Sequence, residues 1–294
     1  MMSVKNEHYN QVANVLWIVL ILNWLVAGAK IAAGMFYDSA SMTADGFHSL
    51  SDGMSNIIGL IGIRFCLPIK DDCHPYGHKK YETLFSLGIA AMLIMVAINL
   101  GKQGITRILH PVTPQVDFIS FVVMVITIIV NVSVMVYEYR KGKQLQSDIL
   151  VVDSMHTRAD IFTSFSVIIA LIGVKIGFPI IDPIVTFVIA VFIAYAAFEI
   201  IKEQSRVLCD AAAITDLDKI KKIVLAIDGV KNCHKIRSRG RLDDVFLDLH
   251  VQMDAKVPLG KAHEISHSIQ KEISQNFPNI VDVMVHMEPV IEEE

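Results

Sequence analysis

The sequence predicts an α-helical membrane protein with six transmembrane helices followed by a small cytoplasmic α+β domain, and three observations predict it. Apolar runs of membrane-crossing length recur along the first part of the chain, composition shifts abruptly after Arg206, and basic residues gather in alternate connections. With 294 residues, 53% hydrophobic and 19% charged, and a mean hydropathy of +0.50, an ordinary soluble protein is excluded for most of the length.

A hydrocarbon core about 30 Å thick needs ~20 apolar residues in helical form. Such runs are read at Val15 to Phe36, Ser39 to Cys66, Thr83 to Ile105, Phe118 to Tyr137, Ile149 to Ile176 and Pro179 to Ile201. The second and fifth are the least hydrophobic, carrying Ser49, Ser51, Ser55, Asn56, Thr163 and Ser164 along with acids and histidines. Spans that carry polar groups in this way must turn them inward. The short amino terminus, with Lys5 and Glu7 and no cleavage-site pattern, marks the first span as retained.

Orientation follows from the basic residues. Arg64, Lys70, Lys79 and Lys80 lie between spans two and three, Arg140, Lys141 and Lys143 between four and five, and Lys202 and Arg206 after six. The alternate connections hold little beyond Arg107 and Lys175, so both termini are expected in the cytoplasm. Nothing in the net charge of −4 calls for a nucleic-acid partner, and none is expected.

The expected division is a transmembrane domain over 1–207 and a soluble domain over 208–294. Thr215 to Ile227 reads as an amphipathic helix stopped at Asp228-Gly229, and Val230 to Ser238 as a strand. Val245 to Met253 alternates, with Val245, Leu247, Leu249 and Val251 on one face and Phe246, Asp248, His250 and Gln252 on the other. Pro258 and Gly260 introduce a second helix through about Phe277, with Ile265, Ile269 and Ile273 at helical spacing. Ile280 to Met287 closes as a strand. The order αββαβ suits an open sheet covered by two helices.

Chemistry is concentrated in a repeated pattern, Asp-x-x-His-x-x-x-Asp, at Asp45, His48 and Asp52 and again at Asp153, His156 and Asp160. Offsets of three and seven put each triad on one helix face. An Asp at the bilayer centre costs roughly 2.5 to 3.5 kcal/mol on insertion scales, so two matching stripes point to a shared internal site. Packed face to face, the two spans assemble His48, Asp52, His156 and Asp160 as two nitrogens and two oxygens, a tetrahedral zinc-type shell. The small residues Gly46 and Ala159 would let the two backbones approach. The bland alternative is a buried structural polar network.

A second cluster, Asp71, His74 and His78, sits on a loop bent by Pro75 and Gly77; it reads equally as a chelating site or as a polar turn. In the soluble domain His234, His250, His263, His267 and His286 accompany Glu288, a set either of surface histidines or of metal ligands gathered by the fold. Cys66, Cys73, Cys209 and Cys233 lack C-x-x-C spacing and are expected as reduced thiols.

The segment Ser41 to Asp52, the loop His74-Pro-Tyr-Gly-His78, the stretch Asp153 to Asp160 and the terminal His286-Met-Glu-Pro289 together resemble a cation diffusion facilitator of the bacterial zinc/iron efflux type, over nearly the whole chain. The resemblance implies six transmembrane helices, a metallochaperone-like αββαβ cytoplasmic domain, a homodimer in the lipid bilayer of the cell inner membrane, and exchange of a cytosolic divalent metal for protons. It assigns transport to His48, Asp52, His156 and Asp160, a loop site to Asp71, His74 and His78, and cytoplasmic metal sites to His234, His250, His263, His286 and Glu288. Glu288 stands where bacterial members often have Asp, and Met287 where some have Gln. Lys80 and Asp210 fall where the family can place an interlocking salt bridge. The His-rich loop of some eukaryotic members is absent between spans four and five.

Antiport suits this ligand set, because neutral imidazole and ionised carboxylate bind either metal or protons. His48 and His156 are then the proton-exchanging ligands, with Asp52 and Asp160 supplying negative charge. Asp45 and Asp153 either relay ions or hydrogen-bond the histidines. A shell of two His and two Asp favours Zn2+ and tolerates Cd2+ or Co2+, while Fe2+ and Mn2+ stay open because affinity discriminates poorly among first-row metals. Two other functions compete: a membrane metal sensor without transport, and a zinc-dependent membrane enzyme, for which the chain lacks an H-E-x-x-H motif.

Overall fold

The computed structural model describes residues 2–36, 43, 46–47, 49–50, 52–67, 70–109, 118–175, 180–214 and 216–290. It divides into two compact units, 1–204 and 205–294.

The first unit is helical. Its elements are α1 (Met2–Phe36), α2 (Met54–Cys66), α3 (Lys80–Leu109), α4 (Phe118–Gln144), α5 (Asp148–Lys175) and α6 (Ile181–Leu208), the last running on past residue 204. Thr43, Gly46, Phe47, Ser49, Leu50 and Asp52 are also helical, ahead of a turn at Gly53. Among the described residues, four helices are long and apolar enough to cross a membrane: Glu7–Ala33, Lys80–Thr106, Phe121–Gln144 and Pro183–Leu208. The other two are α2, which is apolar but only 13 residues long as described, and α5, which carries Asp153, His156 and Asp160.

Two apolar clusters hold this unit together. One joins Tyr9, Val12 and Leu16 of α1 to Ile63 of α2, Ile89 of α3, Val134 of α4 and Ile149 and Leu150 of α5. The other joins Leu93, Ala97 and Leu100 of α3 to Ala159 of α5 and Ala190, Ile193 and Ala197 of α6. Large apolar side chains also point outward, among them Trp17, Trp24, Leu25, Phe187, Phe192 and Phe198. Contiguous apolar surface of this kind is unfavourable in water and natural against lipid.

Close helix approach depends on glycines, of which Gly62 and Gly142 are examples. A Cβ on Gly62 would lie 2.7 Å from Cβ and Cγ of Phe85 and 3.0 Å from Ile149 Cδ1, so α2 meets α3 and α5 through its bare backbone. A Cβ on Gly142 would lie 2.9 Å from the Val151 backbone nitrogen, which lets the α4–α5 turn close over residues 145–147. The expected use of Gly46 and Ala159 is corrected. Gly46 lies against Ala27 and Ile31 of α1, while Ala159 belongs to the α3–α6 cluster, so these small residues admit other helices rather than each other.

The second unit is the expected α+β fold. Its helix α7 (Leu217–Leu225) starts at Asp216, whose carboxylate accepts the Lys219 N–H at 3.4 Å, and is followed by Gly229 in the left-handed region with φ 89°. Strands β1 (Asn232–Arg241) and β2 (Asp244–Met253) form an antiparallel hairpin. After α8 (Leu259–Asn276), β3 (Ile280–Pro289) returns parallel to β2, giving the order β1-β2-β3. Ile220 and Val224 of α7 and Ile265, Ile269 and Ile273 of α8 bury the odd-numbered face of β2, Val245 to Met253. The opposite face is left to polar side chains. Phe246 is the apolar residue expected on that face, and it is covered there: it pairs with Arg239 of β1, whose guanidinium lies 6.0 Å from its ring, and only 9% of it is exposed. β1 also runs three residues further than expected, because pairing with β2 carries the polar run through Arg241.

Candidate metal sites

Three groups of ligand atoms, each gathered within 4.8 Å, occur among the described residues: Asp52, His156 and Asp160; Asp71, His74 and His78; and His234, His250 and Glu288.

The first lies inside the helical unit. α5 supplies His156 and Asp160 one turn apart, and Asp52 comes from the helical residues just ahead of the turn at Gly53. Only 3% of His156 is exposed. Asp52 and Asp160 open into a pocket lined by Asn23, Val26, Ser49, Thr127, Asn131 and Thr157. Apart from Val26, every lining side chain offers oxygen or nitrogen, so the cavity suits a cation. His48 and Asp45 lie outside the described residues.

Asp153, one turn before His156, is turned away from the pocket into a hydrogen-bond chain. Asn56 Nδ2 donates to its Oδ2, and Asn56 Oδ1 in turn accepts from Asn23 Nδ2 at 3.1 Å. On the other side, Thr157 Oγ1 donates at 3.0 Å to Glu138 Oε2, a fully buried carboxyl on α4. Sequence reasoning missed Glu138 and also Lys30, which is 4% exposed and donates to Ser49 Oγ at 2.8 Å. Lys30 gave a signal, a charge within an apolar run, while Glu138 sits where its span gives way to Arg140, Lys141 and Lys143, and neither belongs to a repeated pattern that would single it out.

The loop group is tightly organised. Gly77, with φ 92°, lets its N–H reach the His74 carbonyl at 2.9 Å, and the turn brings the His74 and His78 rings to 4.3 Å. Asp71 lies between them, its Oδ1 3.2 Å from His74 Nδ1 and its Oδ2 3.5 Å from His78 Nε2. The His74 backbone N–H, donated at 2.6 Å, holds the Asp71 carboxyl below the usual carboxylate value. The group therefore stays ionised and available to a cation.

In the second unit the sheet itself builds the site. His234, His250 and His286 are register partners across the three strands, and Glu288 lies two residues beyond His286 on the same face. Glu288 accepts from His250 Nδ1 at 2.6 Å and approaches His234 Nε2 at 3.2 Å and His286 Nε2 at 3.6 Å. His263 is not brought into this group. On the exposed side of α8 its Nε2 lies 3.0 Å from His267 Nε2. Lys80 opens α3 in the first unit, and Asp210 follows α6 in the second with φ 53°. All four cysteines are free.

A helical membrane unit holding a carboxylate-imidazole set in its interior, joined to an αββαβ unit with a second such set, defines a membrane protein that handles metal cations. Residues 16–209 match the cation efflux transmembrane domain, and residues 214–290 match the cytoplasmic domain of cation efflux proteins. The chain belongs to this family, the cation diffusion facilitators, and is a multi-pass membrane transporter of metal cations rather than an enzyme.

Relatives agree over nearly the full length. An uncharacterized transporter of Methanocaldococcus jannaschii is 30% identical over 95% of this chain and 99% of its own. The manganese efflux system protein MneS of Bacillus subtilis is 27% identical over 93% of this chain and 94% of its own. The cation-efflux pump FieF of Shewanella oneidensis is 28% identical over 93% and 95%.

Proposed function

We propose that the protein exports a cytosolic divalent cation, zinc foremost, in exchange for protons, with His48, Asp52, His156 and Asp160 as the transport site. The observation that carries this reading is the convergence of Asp52, His156 and Asp160 inside the membrane helices, two of them facing a polar pocket. In the sequence His48 precedes Asp52 by four residues, the spacing of one helical turn. Protons and metal compete for these atoms, so loading metal releases protons and protonation expels metal.

In this reading 1–207 is the transmembrane domain of an inner-membrane protein with both termini cytoplasmic, as the basic residues argue. The domain over 208–294 binds metal through His234, His250, His263, His286 and Glu288 and supports a homodimer, with Lys80 and Asp210 as interlock. Asp71, His74 and His78 take up metal at the cytoplasmic mouth, and Asp153 positions the helix face rather than ligating. Manganese is the second reading. Ser49, Thr127, Asn131 and Thr157 line the pocket beside the two carboxylates, and an oxygen-rich cavity suits the harder cation.

The test is metal uptake by proteoliposomes carrying the purified protein, with and without an imposed pH gradient, for zinc, cadmium, cobalt, iron and manganese. Gradient-dependent flux that is lost in Asp160→Asn is expected, and the rank order of metals names the cargo. Binding of every metal without flux would overturn transport in favour of sensing.

A further inference from the structure

Lys30 lies within the apolar course of α1 and is almost entirely enclosed, with 4% of its surface exposed. A buried ammonium is costly unless polar groups surround it. Its Nζ donates to Ser49 Oγ at 2.8 Å, and Ser49 forms the same pocket wall as Asp52 and Asp160. A fixed positive charge thus sits at the edge of a cavity whose purpose is to receive a cation. That is an expensive arrangement if Lys30 serves packing alone, since an apolar side chain of similar length would fill the space without opposing the cargo.

We propose that Lys30 is a resident counter-cation of the transport site. Its ammonium balances Asp52 and Asp160 when no metal is present and opposes an incoming dication, and so sets how tightly the cargo is held. This inference rests on the transport-site reading above. Two carboxylates and an imidazole in a low-dielectric pocket attract a dication strongly, because charges interact far more strongly there than in water. A transport site must also let go. A nearby positive charge weakens binding without removing a ligand, and it keeps the empty site from carrying uncompensated negative charge while the helices move.

The experiment measures initial zinc flux into proteoliposomes over a range of zinc concentrations for the full-length protein and the variants Lys30→Met, Lys30→Arg and Asp160→Asn. In Lys30→Met the half-saturating zinc concentration is expected to fall roughly tenfold, about 1.4 kcal/mol of tighter binding, while the maximal rate also falls because release slows. Lys30→Arg keeps the charge and should keep a half-saturating concentration near that of the unmodified protein. Lys30→Gln carries the same expectation as Lys30→Met and replaces it if the Met variant does not reconstitute. A role in packing alone would lower the rate with half-saturation unchanged or raised, and that result overturns the inference while leaving the site standing. Flux retained in Asp160→Asn, or absent from the unmodified protein, removes the transport-site reading and this inference with it.

Discussion

His250 and Glu288 are joined across the parallel β2–β3 ladder, Nδ1 to Oε1 at 2.6 Å, although Glu288 is registered opposite Gln252 rather than His250. The diagonal contact leaves His286, the direct partner of His250, with its ring tilted at 51° to that of His250 and 4.6 Å away between centroids. The carboxylate is thereby shared among three imidazoles, with the His250 hydrogen bond as the main reason its pKa falls below the usual glutamate value of 4.5.

A depressed folded-state pKa fixes the sign of the pH dependence. Glu288 contributes stability that is fully present above its unfolded value of 4.5 and is lost as pH falls through the lower folded value. Metal-free Glu288→Gln cytoplasmic domain should therefore melt below the unmodified domain at pH 7, and the gap should close under acid. Thermal unfolding followed by circular dichroism from pH 7 down to pH 3 checks this, and a gap that widened in acid would contradict it.

The 205–294 unit has its own core and should fold when expressed alone. Ile269 of α8 is fully buried in that core, and Ile269→Ala should cost about 2–5 kcal/mol by urea unfolding. A cost well below 1 kcal/mol would mean that this core is not packed as described.

Asn56→Leu removes the donor to Asp153 and the acceptor for Asn23 together. Leaving buried polar groups unsatisfied costs roughly 1–3 kcal/mol each, so the detergent-solubilised protein should melt earlier and transport more slowly. Full thermal stability in this variant would show that the chain of amides does not hold α1, α2 and α5 together.

Two glycines separate crowding from helix propensity. Gly62→Ala should destabilise the protein by about 1–3 kcal/mol, because the new methyl meets Phe85 at 2.7 Å. Gly88→Ala, whose methyl meets only Ile58 at 3.9 Å, should be neutral or stabilising by up to about 1 kcal/mol. Equal melting temperatures for the two would refute the tight α2–α3 contact.

Much of this architecture was legible because the signals are repeated and local. Apolar length marks the spans, alternation marks β2, and the spacing of Asp153, His156 and Asp160 survives as one helix with His156 buried. What was not legible depends on how helices rotate about their axes. Lys30 is a lone charge in an apolar run and Glu138 stands at the polar end of another, and nothing in either run says that one faces Ser49 and the other Thr157. For the same reason Gly46 and Ala159, small residues next to the ligands, were matched to each other instead of to α1 and to the α3–α6 cluster. His263 shows a further limit: helical spacing correctly places it beside His267 but does not bring it to the sheet.

The chain of amides from Asn23 through Asn56 to Asp153 has a direction, since each amide donates toward α5 and Asn56 accepts from the side of α1. Asn23 donates an amide hydrogen to Asn56 and also lines the pocket, so its carbonyl oxygen is not needed within the chain. The same residue thereby ties α1 to α2 and brings to the pocket wall an uncharged oxygen of the kind a cation accepts.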